Sequence, residues 1–168
     1  MKQISEVDKQ TSSLKNNLFK SVQRFDDNKI GTGIFYVQVI NNIREAANSL
    51  KFIAKPALEH LENKHKELTK SQIKDLNSLS DEYLRFKNKA IEIVESGNFD
   101  KIDELKEYQS VFVGLTDKLK KKQLKRIKKK EDPTKASMLF INILQESKTL
   151  ALSIVSAVKS YRDFRKNY

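Results

Sequence analysis

Apolar residues recur along this chain with the period of an α-helix. Tyr36, Ile40, Ile43, Ala47, Leu50, Ala54, Ala57 and Leu61 alternate four and three apart. That spacing lines all eight along one stripe of a long helix, with Val39 and Ile53 widening it. The same alternation returns in Ala136, Phe140, Ile143, Ser147, Leu150, Ile154, Ala157, Tyr161 and Phe164. Ser147 is the polar member, and a helical serine can return its hydroxyl to a carbonyl one turn back. Three less regular stripes complete the pattern. Ile4, Val7, Leu14, Leu18, Val22 and Phe25 mark the first, Leu76, Leu79, Tyr83, Phe86, Ala90 and Ile93 the third, and Ile102, Leu105, Tyr108, Phe112, Leu115 and Leu119 the fourth. The pattern predicts five helices, over about 3–26, 34–66, 71–96, 99–129 and 134–166.

Local chemistry places the boundaries. Asp26-Asp27-Asn28 and Gly31-Thr32-Gly33 read as the turn between the first two helices, glycine supplying a positive φ. Ser71 is placed to cap the third helix, Gly97 to end it, and Asn98 to cap the fourth, with Asp100 and Asp103 near the positive end of its dipole. Asp132-Pro133 reads as N-cap and first turn of the last helix. Pro56 falls inside the second helix, where a kink about one turn upstream is expected rather than a stop. Short connections favour antiparallel neighbours. The expected fold is a single all-α domain over 1–168, an antiparallel bundle of about five long helices. A shift of 100 residues superposes Asn42 on Asn142, Ile43 on Ile143, Leu50 on Leu150 and Ala57 on Ala157, while a shift of 101 matches Ile40 with Ile141 and Glu45 with Glu146. Two related repeats are compatible with this.

Composition narrows the function classes. In 168 residues there are four Gly, two Pro and no Cys, which argues against a many-turned β fold and excludes disulfides, thiolate metal sites and cysteine nucleophiles. No run approaches the roughly 18 apolar residues of a membrane span, and the first residues lack a signal peptide's apolar core. The expectation is a soluble domain, free or attached to a membrane protein.

Catalytic patterns are absent: there is no phosphate-binding glycine loop, no His-Glu-x-x-His and no nucleophile elbow. His60 and His65, five apart, would point about 140° away from each other on a helix, a poor geometry for sharing a metal. Asp100 with Glu104, and Asp103 with Glu107, are explained by the dipole of the fourth helix. No enzyme activity, metal or cofactor is expected.

The strongest local signal is basic. Residues 118–130 contain nine cations and no anion: Lys118, Lys120, Lys121, Lys122, Lys125, Arg126, Lys128, Lys129 and Lys130. Without them a net charge of +11 falls to about +2 for the other 155 residues. Half an elementary charge of helix dipole does not require nine cations, and their repulsion should fray the last turns. Three readings compete: a solvated helix end; docking on anionic lipid, with Leu119, Leu124 and Ile127 as its apolar edge; and nucleic acid, for which no interleaved aromatic is present.

One longer segment carries a family resemblance. Phe35 to His60, above all Glu45 to Leu50, Lys55-Pro56-Ala57 and Glu59-His60, continuing to Asn63, His65 and Lys66, resembles the PhoU-like cytoplasmic C-terminal region of bacterial sodium/phosphate cotransporters. The resemblance implies two three-helix repeats, the first here lacking its opening helix, in a non-catalytic regulatory or interaction domain. It would lie on the cytoplasmic side of the inner membrane, joined to a membrane part that carries out phosphate transport. Implied partners are that membrane domain, the anionic membrane surface and a second copy of the chain, with nucleic acid ranked below them. PhoU proteins carry a second acid four residues after the first on each signature helix. Here Glu45 is followed by Ser49 and Glu146 by Leu150, so metal binding is not carried over. The alternatives are a free cytosolic adaptor using 118–130 to bind an acidic partner or nucleic acid, and a carboxylate-bridged metal bundle.

Overall fold

The computed structural model describes residues 30–167 and, ahead of them, Ser5, Glu6, Lys9, Gln10, Ser12, Ser13, Leu14, Asn17 and Lys20. The continuous part forms four α-helices: α1 (Ile30–Glu62), α2 (Lys70–Ser96), α3 (Ile102–Lys128, entered through a 3-10 turn at Phe99–Lys101) and α4 (Thr134–Asn167). The nine N-terminal positions are helical as well; the rest of the helix expected over 3–26, with its apolar stripe apart from Leu14, lies outside the described residues. No strand occurs among the described residues, and the protein is an all-α bundle.

The helices alternate in direction. Thr32 Oγ1 donates to the Asn167 carbonyl (2.7 Å), Tyr36 packs on Phe164 with ring centroids 5.8 Å apart, and Asn42 Nδ2 donates to Ser160 Oγ (3.2 Å). Each partner falls further back on α4 as α1 advances, so this longest seam is antiparallel. Lys148–Asp117 (2.9 Å) with Lys120–Gln145 (3.2 Å), and Lys89–Glu104 (2.6 Å) with Arg126–Asp75, show the same antiparallel sense for α4 against α3 and for α3 against α2. Because α4 packs against α1, α3 and α2 together, its buried face is wider than one stripe. Leu139, Leu144, Ala151, Val155 and Val158 are buried along with Phe140 and Leu150. This also explains its composition: α4 is the one described helix long and apolar enough to cross a membrane.

The core lies between α2, α3 and α4. Phe86, Phe112 and Phe140 are fully buried, the first two stacked at 6.2 Å with Tyr83 tilted against both. Burying a side chain of this size stabilises by about 2–3 kcal/mol. The α1 stripe is less enclosed: Ile40 and Ala47 are buried, whereas Ile43, Leu50 and Leu61 are exposed.

Several boundaries differ from the sequence expectation. Helix α1 starts at Ile30, so Gly31-Thr32-Gly33 lies within it and supplies no turn. It stops at Glu62 instead of 66: His65 N donates to His60 O, Lys64 N to Leu61 O, and Lys64 takes a positive φ, a hydrogen-bonded ending available without glycine. Thr69, not Ser71, caps α2, accepting from Gln72 N while Gln72 Oε1 accepts from Thr69 N. The Asn98 side chain makes no cap bond. Pro133 takes the N-cap place, its carbonyl accepting from Ser137 N, because Asp132 is engaged elsewhere. Gly97 ends α2 with φ +66° as expected. Helix α1 continues through Pro56. Proline cannot donate to the carbonyl of Phe52, and that carbonyl accepts from Asn142 Nδ2 of α4 at 2.8 Å.

Candidate functional site

The basic run occupies the last three turns of α3. At about 100° per residue, Leu105, Phe112, Leu119 and Arg126 share one face and Lys121, Lys125 and Lys128 the opposite one. The former face is buried, and the latter three side chains are exposed together with Lys118, Lys122, Lys129 and Lys130. Lys120 is half-buried, its ammonium donating to Gln145 Oε1 of α4 at 3.2 Å.

Two residues expected on this surface are not there. Arg126 is 6% exposed. Its guanidinium pairs with Asp75 and donates to Ser71 Oγ (2.6 Å) and Gln123 Oε1 (2.9 Å), and it lies over the Phe140 ring at 5.9 Å. Leu119, 5% exposed, belongs to the core. The apolar edge that remains is Leu124, 53% exposed, and Ile127, 41% exposed.

The buried cluster around Arg126 reaches four segments of chain. Gln123 Nε2 donates to Asp132 Oδ2 (2.9 Å) and to Ser137 Oγ (3.0 Å); Thr69 Oγ1 donates to Asp132 Oδ1 (3.1 Å); Lys122 Nζ donates to Asp75 Oδ1 (2.8 Å). Burial acts to raise the Asp75 carboxyl, but the hydrogen bonds and charges of Lys122 and Arg126 outweigh it and hold the group below the usual carboxylate range. Asp75 thereby neutralises part of the run from within. The expected fraying is not seen: α3 is helical to Lys128 and closes with Glu131 N donating to Arg126 O and Lys130, at positive φ, donating to Ile127 O. Sequence inspection missed this cluster because Asp75 lies 51 residues from Arg126. The one cue was an acid among the lysines at the start of α2.

The other singled-out residues are dispersed. Glu45 is exposed and Glu146 half-buried, while Ser49 and Leu150, at the positions where PhoU proteins carry the second acid, are buried. His65 lies beyond the end of α1, so helical geometry does not separate it from His60. The rings meet edge-on at 5.2 Å, and His60 Nε2 donates to the Lys66 carbonyl at 2.9 Å. No cluster of three or more metal-ligating side chains occurs among the described residues. No known family, characterised protein or solved structure gives a significant match to the chain.

Proposed function

We propose that the chain is a non-catalytic helical regulatory or interaction domain that docks on an anionic membrane surface through the exposed lysines of α3. We read it as the PhoU-like cytoplasmic part of a sodium-dependent phosphate transporter. The transporter assignment rests on the resemblance of Phe35–Lys66, and the docking on one observation. Lys121, Lys125 and Lys128 form a single exposed stripe opposite the buried face of a helix end that is fixed from within. Cations held in place beside a surface of anionic headgroups are attracted by about 1 kcal/mol each. A change in docking would bias the attached membrane domain between its states to the extent that the domain binds them differently.

Vesicle co-sedimentation tests the docking. Binding is expected on vesicles containing phosphatidylserine or phosphatidylglycerol and not on pure phosphatidylcholine. It should weaken as salt rises and fall by about a hundredfold in a Lys121→Ala/Lys125→Ala/Lys128→Ala variant. Equal sedimentation with neutral vesicles, or tighter binding to duplex DNA, defeats it. The transporter assignment is tested separately: apolar spanning segments encoded in frame upstream of Met1 support it, and a closed frame removes it.

A further inference from the structure

The register of α3 against α4 adds something to the basic end that neither helix shows alone. Lys120 meets Gln145 at 3.2 Å, and Asp117 meets Lys148 one turn away in the antiparallel sense. Seven residues on from Lys120 is Ile127, and seven back from Gln145 is Met138. A step of seven returns to the same face of a helix, so Ile127 shares the side of α3 that carries Lys120, and Met138 the side of α4 that carries Gln145. The Gln123–Ser137 bond, at 3.0 Å, brings their chain neighbours Leu124 and Met138 to the same end of this seam. Leu124 is 53%, Ile127 41% and Met138 61% exposed, Met138 being among the most exposed large apolar side chains described. Exposed lysines border the three: Lys121, Lys125 and Lys128 on α3, and Lys135 one turn before Met138 on α4.

Resting on the docking just proposed, we propose that Leu124, Ile127 and Met138 form one apolar wedge that enters the acyl-chain boundary of an anionic bilayer, the bordering lysines remaining among the headgroups. Aliphatic side chains ringed by long-stemmed cations match the layered polarity of a lipid surface, since a lysine stem can lie along the apolar region while its ammonium stays in water. A phosphodiester backbone offers no apolar layer to such a wedge, and the patch holds no aromatic on which a base could stack. The excess of cations at 118–130 has no counterpart at the other end of α3, where Asp103 and Glu104 are paired with Lys106 and Lys89, and this difference favours the same orientation.

The chain contains no tryptophan, so Met138→Trp gives a single reporter. Mixed with phosphatidylglycerol vesicles, its emission should shift to the blue and be quenched by lipids brominated on the acyl chains. A Leu124→Ser/Ile127→Ser variant should keep its low-salt binding within a few-fold, yet lose about tenfold or more of the binding that survives high salt. Val111→Ser, a change at a 58%-exposed position in the first half of α3, should alter neither. Bound protein whose tryptophan emission is unshifted and unquenched overturns the wedge while leaving electrostatic docking standing. The same shift on soluble polyglutamate overturns it in favour of an acidic polypeptide partner. If the unmodified chain does not bind anionic vesicles at all, the docking and the wedge fail together.

Discussion

The two ends of α3 are both densely charged and are held in different ways. At its start, Asp103 pairs with Lys106, Glu104 with Lys89, and Lys101 with Glu92, all near solvent. Asp103–Lys106 is local and Lys101–Glu92 joins two exposed side chains, so each contributes little, while Lys89, its side chain 13% exposed, reaches Glu104 across the α2–α3 seam. At its far end one carboxylate, Asp75, enters from α2 and engages Arg126 below the surface and Lys122 at its edge, with Gln123, Asp132, Ser137 and Thr69 extending the cluster to two loops and to α4. Charge density alone therefore says little about how a helix end is held in the bundle. A basic segment that would fray in isolation is fixed because its repulsion is offset from inside, leaving the remaining lysines pointing outward.

The largest expected effect comes from removing that carboxylate. Asp75→Ala leaves a buried guanidinium without its counter-charge and should cost about 3 kcal/mol, the lower end for a buried pair because Lys122 still meets solvent. That corresponds to a fall of roughly 6–12 °C in thermal midpoint. Asp103→Ala, which breaks an ion pair at the other end, should leave the midpoint unchanged. A Asp75→Leu/Arg126→Met double variant should lie nearer the unmodified protein than either single change, since the uncompensated charge is then gone. The contribution is pH-dependent with a definite sign. The folded carboxyl lies below its unfolded value of about 3.9, so its stabilisation is complete above that pH and is lost as pH falls through the lower folded value. The stability gap between the unmodified protein and Asp75→Asn, followed by urea unfolding, should accordingly close in acid.

A smaller pair of changes compares how the helices end. Gly97 holds a positive φ before the acidic end of α3, with nothing within 4 Å of an added Cβ, and Lys130 holds a positive φ just past the basic end. Gly97→Ala should destabilise by about 1 kcal/mol and Lys130→Gly stabilise by a similar amount, opposite signs from one backbone preference. An outcome of equal sign would show that something besides the backbone governs one of these ends. Smallest is the α1–α4 seam: Asn142→Ala should cost about 0.5–1 kcal/mol, and less in a Pro56→Ala background, where an alanine N–H can again donate to the Phe52 carbonyl.

Periodicity carried most of the fold. Most positions expected to face inward on α2 and α3, from Leu79 to Leu119, are buried, because a helix facing one neighbouring layer presents one stripe; Tyr83 and Leu115 are half-buried and Tyr108 is exposed. It underestimated α4, which meets three helices, and it read as a turn two glycines that lie inside α1. Those glycines are helical because a glycine permits positive φ without requiring it, as Gly31 shows and Gly97 does not.

The chemistry of the basic end divides the same way. Helical spacing determined that the lysines of 118–130 would include an outward stripe, since that depends only on residues a few positions apart. Which cation would turn inward was decided by Asp75, brought there from another helix. Pairings between residues this far apart in the chain depend on how whole helices pack around the shared core, in which Phe86, Phe112 and Phe140 are fully buried, and not on any local run of sequence.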